Sequence, residues 1–144
     1  MPTKTNNPEV SEAAVAYEWH HLDARDKVLG RLATQAAALL NGKHRPDYAT
    51  NKVAPVYVVI TNTDLVAVTG RKESQKMYRH YTGYPGGLKE RPLAEQRRRD
   101  SRKIVEAAVF GMLPKNNLRK FRMRHLKLYS GSEHPHLPQL SSTK

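Results

Sequence analysis

The chain has 144 residues, with 25 Lys and Arg against 13 Asp and Glu, a net charge of +12 and a pI near 10.1. It has no cysteine, which excludes a disulfide framework and thiolate metal sites, and no apolar run approaches the ~18 residues of a membrane-spanning helix. Length and an apolar content of 38% fit one domain with a modest core under a basic surface, a composition typical of nucleic-acid binders.

Residues 1–16 read as a polar arm. The first 18 residues hold one Lys, three Glu and no apolar block, unlike a secretory leader, and they lack the arginines of a mitochondrial presequence. A single domain is expected over residues 17–130. Trp19–Ala24 is a short strand candidate. Val28–Asn41 follows, with Leu29, Leu32, Ala36, Leu39 and Leu40 at helical spacing on one face, Asp26 placed to cap it and Gly42 to stop it. Val56–Ile60 is an unbroken apolar run, which predicts a strand covered on both faces. Leu65–Val68 is a second such run. The short link Thr61–Asp64 suits an antiparallel hairpin, the strand–helix–strand order suits a parallel βαβ unit, and periodicity leaves the direction open.

Thr69-Gly70-Arg71-Lys72 then reads either as a simple turn or as a phosphate-facing one. Ser101–Met112 is a second amphipathic helix. Ile104, Val105, Ala108 and Met112 are expected inward and Arg102, Lys103 and Glu106 outward, with Asp100 or Ser101 as cap and Pro114 as stop. Leu126–Tyr129 is the last strand candidate. The tail Gly131–Lys144, rich in Ser, Pro and His, is expected to be loosely ordered.

The charge is segregated. Residues Arg71–Lys127 hold 17 Lys and Arg against 5 Asp and Glu, whereas the remaining residues hold 8 of each. Concentrated positive charge attracts polyanions, chiefly nucleic acid. Within this segment, Lys76–Arg91 interleaves Tyr78, Tyr81, Tyr84 and His80 with Arg79, Lys89 and the glycines Gly83, Gly86 and Gly87. Aromatic rings stack on unpaired bases, glycines let the backbone approach phosphate, and Arg can fork onto it. The bland alternative is a surface hairpin with ordinary tyrosines. Arg97-Arg98-Arg99 is expected just ahead of a helix, where cations oppose the helix dipole unless an anion is bound. On that reading, replacing all three with Ala weakens RNA binding and flattens its salt dependence. Lys115–Lys127 places Lys115, Arg119, Lys120, Arg122, Arg124 and Lys127 around Leu118, Phe121 and Leu126 with no acidic residue. Its cations are expected outward.

Catalysis is not expected. His80 or His44 would need an acidic partner to act as a general base, and no pair has diagnostic spacing. No nucleophile elbow, Walker loop or dinucleotide fingerprint is present. Glu133-His134-Pro135-His136 is a poor scaffold for a closed metal site, so neither a metal nor another cofactor is expected.

His80-Tyr81-Thr82-Gly83-Tyr84-Pro85-Gly86-Gly87-Leu88-Lys89 resembles the loop of the large-subunit ribosomal protein L-thirteen (universal uL-thirteen) family. Gly111-Met112-Leu113-Pro114-Lys115, followed by Leu126 to His134, is similar to its C-terminal signature. Leu29–Ala33, Asn41–Tyr48 and Val66–Lys72 match its first helix, the basic turn after it and the segment after its second strand. The resemblance implies a three-layer α/β/α domain with a small, mainly parallel, four-stranded sheet. It implies a structural, non-enzymatic role without cofactor or small-molecule substrate, binding large-subunit rRNA early in assembly beside neighbouring ribosomal proteins, away from any membrane. The ribosome is expected to be bacterial and cytoplasmic, with an organellar one left open. Regulation of messenger RNA is the alternative role. The RNA-facing residues implied are Thr82, Gly83, Tyr84, Gly86, Gly87 and Lys115, with Lys43, His44 and Arg45 of the basic turn. To these the basic segment itself adds Arg71, Lys72, Arg79, His80, Tyr81, Lys89, Arg97, Arg98, Arg99, Arg119, Lys120, Arg122 and Arg124. The sequence departs from the family at Phe110, where a basic residue is common.

Overall fold

The structure is a computed structural model and describes residues 17–141. The arm expected over residues 1–16 lies outside them. The elements run β1 (Glu18–Asp23), α1 (Leu29–Asn41), β2 (Val56–Thr61), a 3-10 turn (Thr63–Leu65), α2 (Lys72–Gln75), β3 (Met77–Tyr81), β4 (Leu88–Pro92), α3 (Leu93–Asp100), α4 (Arg102–Met112), α5 (Arg119–Arg124), β5 (Leu126–Leu128) and α6 (Leu137–Ser141).

β2 is the middle strand of a parallel sheet of order β1-β2-β5. Its two faces are both covered, which is why its sequence is an unbroken apolar run. Val56, Val58 and Ile60 join one core cluster with Leu32, Ala33, Ala36 and Leu40 of α1 and Ile104, Val105 and Val109 of α4. Alternation sends Tyr57, Val59 and Thr61 to the opposite face. There Tyr57 stacks on Trp19 with ring centroids 4.4 Å apart, and His136 tilts against Trp19 at 5.1 Å.

The tail docks on this face through His134 and His136, while Leu137 stays exposed. Tyr129 Oη bonds His136 Nε2 at 2.9 Å, and His134 lies 5.5 Å from the His21 ring. Burial first, then neighbouring cations or histidines, holds His21, His125 and His136 below the ordinary imidazole value. At neutral pH they pack as uncharged rings.

The mixed α/β class holds, and the sheet differs in detail. Among the described residues it has three strands rather than four, and β3 and β4 form a separate antiparallel ribbon. Leu65–Val68 is not a strand. Asn62 takes a left-handed φ of 58° that turns the chain away from β2, and both edges of β2 are already taken by β1 and β5. The run contributes only a parallel bridge, Val28 to Ala67, and Leu65 is exposed.

Helix ends differ too. Asp26 sits in the preceding turn at φ 57° and does not cap α1, whose first flanking residue is Val28. At α4, Asp100 Oδ1 accepts the Arg102 N–H at 3.1 Å, while Ser101 is buried against Thr63. Met112 is exposed, because the chain extends after α4 and Leu113 fills the next core position.

Gly42 ends α1 as its spacing predicts. It adopts φ 75° and donates its N–H to Leu39 O at 2.9 Å. A Cβ there would meet the Ala54 Cβ at 2.6 Å. Gly42→Ala is expected to cost about 1–3 kcal/mol through left-handed strain and overpacking, read as a lower urea midpoint at unchanged m-value.

Candidate nucleic-acid interface

The β3–β4 ribbon presents the aromatic-glycine loop. Pairing runs from Met77 opposite Pro92 to Tyr81 opposite Leu88, and Tyr78 packs against the core, burial pushing its hydroxyl pKa up. The loop closes on itself through Thr82 N–H to Gly87 O and Gly87 N–H to Tyr84 O. Gly83 and Gly86 take left-handed φ values of 90° and 71°, which only glycine adopts without strain. Gly87 is tucked under Thr82, where a Cβ would have no room. The result is a stiff tip with Tyr84 75% and Tyr81 59% exposed. His80, Thr82 and Lys89 are exposed beside them. Arg79 is exposed but paired across the ribbon with Glu90.

The arginine triplet is split. α3 begins at Leu93, so Arg97, Arg98 and Arg99 occupy its last turn, where cations favour the helix dipole. α4 follows at Arg102, as the sequence expects, so the triplet lies between the favourable end of α3 and the start of α4. Arg97 turns inward: Nε and Nη2 fork onto Glu73 at 3.1 and 3.3 Å, while Nη1 donates to Asp64 O and Val66 O, both at 2.9 Å. It fastens α3 to α2 and to the segment after β2. Arg98 and Arg99 face solvent.

Arg122 is a second correction. The sequence predicts it outward, yet it is 1% exposed, with Nη2 donating to Lys52 O at 3.2 Å. Helical spacing in α5 places it on the face that packs toward β5 and α1, and its neighbours Lys120 and Arg124 face solvent with Lys115. Arg119 is half-buried, its guanidinium 3.8 Å from the Phe110 ring centroid. Phe110 thus replaces a basic residue with a platform that holds one.

Arg71 and Lys72 are exposed on the rim of an open groove of about 790 Å³. Its apolar floor is built from Val28, Val68, Ala108 and Met112, with Gly30, Gly70 and Gly111 keeping the walls low, and Lys76 stands beside the basic rim. Sequence reasoning missed this groove because three distant segments build it. Lys43 and His44 are exposed, and Arg45 is forked onto Asp47 at 2.9 and 3.2 Å. They lie past the far end of α1, about 20 Å from the groove.

These features fit known proteins. The family model described as Ribosomal protein L13 matches residues 17–135. The chain is 52% identical over 122 residues to the large ribosomal subunit protein uL13 of Solibacter usitatus, covering 85% of each chain. It is 46% identical over 139 residues to uL13 of Alcanivorax borkumensis, covering 96% of this chain and 95% of that one. It is 48% identical over 125 residues to uL13 of Legionella pneumophila strain Corby, covering 87% of each. With a family match over most of its length and relatives this similar along theirs, the chain belongs to the ribosomal protein L13 family.

Proposed function

We propose that this chain is a structural constituent of the large ribosomal subunit that binds and organises large-subunit RNA and joins early in assembly. The family is structural and non-enzymatic, and the relatives above are bacterial large-subunit proteins. On this reading it works in cytoplasmic ribosomes, beside neighbouring ribosomal proteins. Among the described residues no helix is long and apolar enough to cross a membrane.

One observation carries the RNA reading. Arg71, Arg98, Arg99, Lys115, Lys120 and Arg124 are exposed, and among the described residues none is in an ion pair with an acidic group. A folded core holding unneutralised cations beside a stiff aromatic loop suits folded RNA, whose helices repel one another until cations bridge them.

Sucrose-gradient sedimentation of a lysate at low and then high salt tests this. The chain is expected to co-sediment with large subunits and to survive the salt wash. Release at moderate salt, or recovery in free RNA complexes, would replace the structural reading with a transient one.

A further inference from the structure

Among the described residues, the densest convergence of metal-binding side chains lies at the start of β1. Glu18 and His20 are two residues apart on one strand and so project to the same face. β1 and β2 are parallel, so the connection between them runs back along the sheet, and the turn after α1 brings His44 to that face. Glu18 Oε1 lies 2.7 Å from His20 Nε2, and Glu18 Oε2 lies 3.3 Å from His44 Nε2. The ligand atoms of the three residues all fall within 4.8 Å of one another. Among the described residues this is the one place where three such groups meet.

We propose that Glu18, His20 and His44 form a binding site for a divalent transition-metal ion, Zn²⁺ by its ligand set, with a fourth position open to water. Two imidazoles and one carboxylate are a recurrent three-ligand zinc set, and a tetrahedral ion with bonds of about 2.0–2.2 Å separates its ligands by about 3.3 Å. The observed separations of 2.7 and 3.3 Å lie just below and at that value.

A second observation points the same way. His20 Nε2 is sealed from solvent and makes no well-directed hydrogen bond, although a carboxylate oxygen lies 2.7 Å away. A ring nitrogen and a carboxylate oxygen at that separation share either a proton or a bound cation, and the misaligned geometry leaves the second open. The competing cation is Arg45, which reaches Glu18 Oε2 at 3.5 Å. It is already forked onto Asp47, so the metal displaces only its weaker contact. Imidazole ligands also set the site apart from Mg²⁺, which prefers oxygen ligands and keeps its waters. The bound ion would pin the basic turn Lys43–Arg45 to the sheet.

The test is zinc titration of the untagged, chelator-stripped full chain by calorimetry, with Co²⁺ absorption reporting four-coordinate geometry and excess Mg²⁺ present throughout. One Zn²⁺ per chain is expected, and Glu18→Gln, His20→Ala and His44→Ala should each weaken binding by roughly tenfold or more. The double variant His134→Ala, His136→Ala should leave it unchanged. Because His44 is exposed, His44→Ala should melt like the parent without metal, which separates a loss of binding from a loss of fold. No binding in the presence of Mg²⁺, or binding abolished by the tail variant and untouched by the other three, overturns the proposal.

Discussion

Arg97→Ala is expected to lower the unfolding free energy by about 2–4 kcal/mol, because it removes a guanidinium that bonds one carboxylate and two backbone carbonyls at once. Thermal unfolding should fall by roughly 5–15 °C. Arg97→Lys should recover only part of this, since one ammonium cannot span the Glu73 fork and both carbonyls. Arg98→Ala and Arg99→Ala should leave the melting temperature nearly unchanged, as both face solvent. Equal effects of all three variants on stability would show that Arg97 does not fasten α3. The triplet that reads as one charge run is thus expected to separate into one structural and two surface residues.

Replacing Arg71, Arg98, Arg99, Lys115, Lys120 and Arg124 together with Gln is expected to weaken binding to large-subunit RNA by orders of magnitude without unfolding the chain. Each phosphate that is no longer neutralised should make the plot of log K against log salt shallower by about 0.7, so removing six cations reduces the slope by about 4. Filter binding over a salt series, with circular dichroism as the folding control, measures both. A slope that does not change would remove this surface from the interface. Arg122 is left out because its cation is buried.

The parts of the molecule legible in sequence are those set by near neighbours along the chain. α1 is one, since an apolar face at helical spacing and a glycine stop both lie within its own residues, and Gly42 behaves as its position predicts. β2 is another, because a strand with both faces covered needs an unbroken apolar run. The loop Thr82–Gly87 is a third, because its turns depend on its own glycines. The run Leu65–Val68 misleads, because a strand needs a partner along several residues, and this run meets the sheet side only through the single bridge from Ala67 to Val28.

By itself, the sequence determined the charge, the confinement of that charge to Arg71–Lys127, the main helix and central strand, and the family motifs. Composition and short-range periodicity carry all of these. Only the tertiary structure decided which cations face water. Arg97 meets Glu73, 24 positions away, and Arg122 meets the carbonyl of Lys52, 70 positions away. It also decided that Glu18, His20 and His44 meet, since the β1–α1–β2 crossover carries His44 back across 26 positions. Residue type states what a side chain can do, and burial states whether it is free to do it. Burial depends on which distant segments share an edge or a face, and the local pattern of residues does not contain that information.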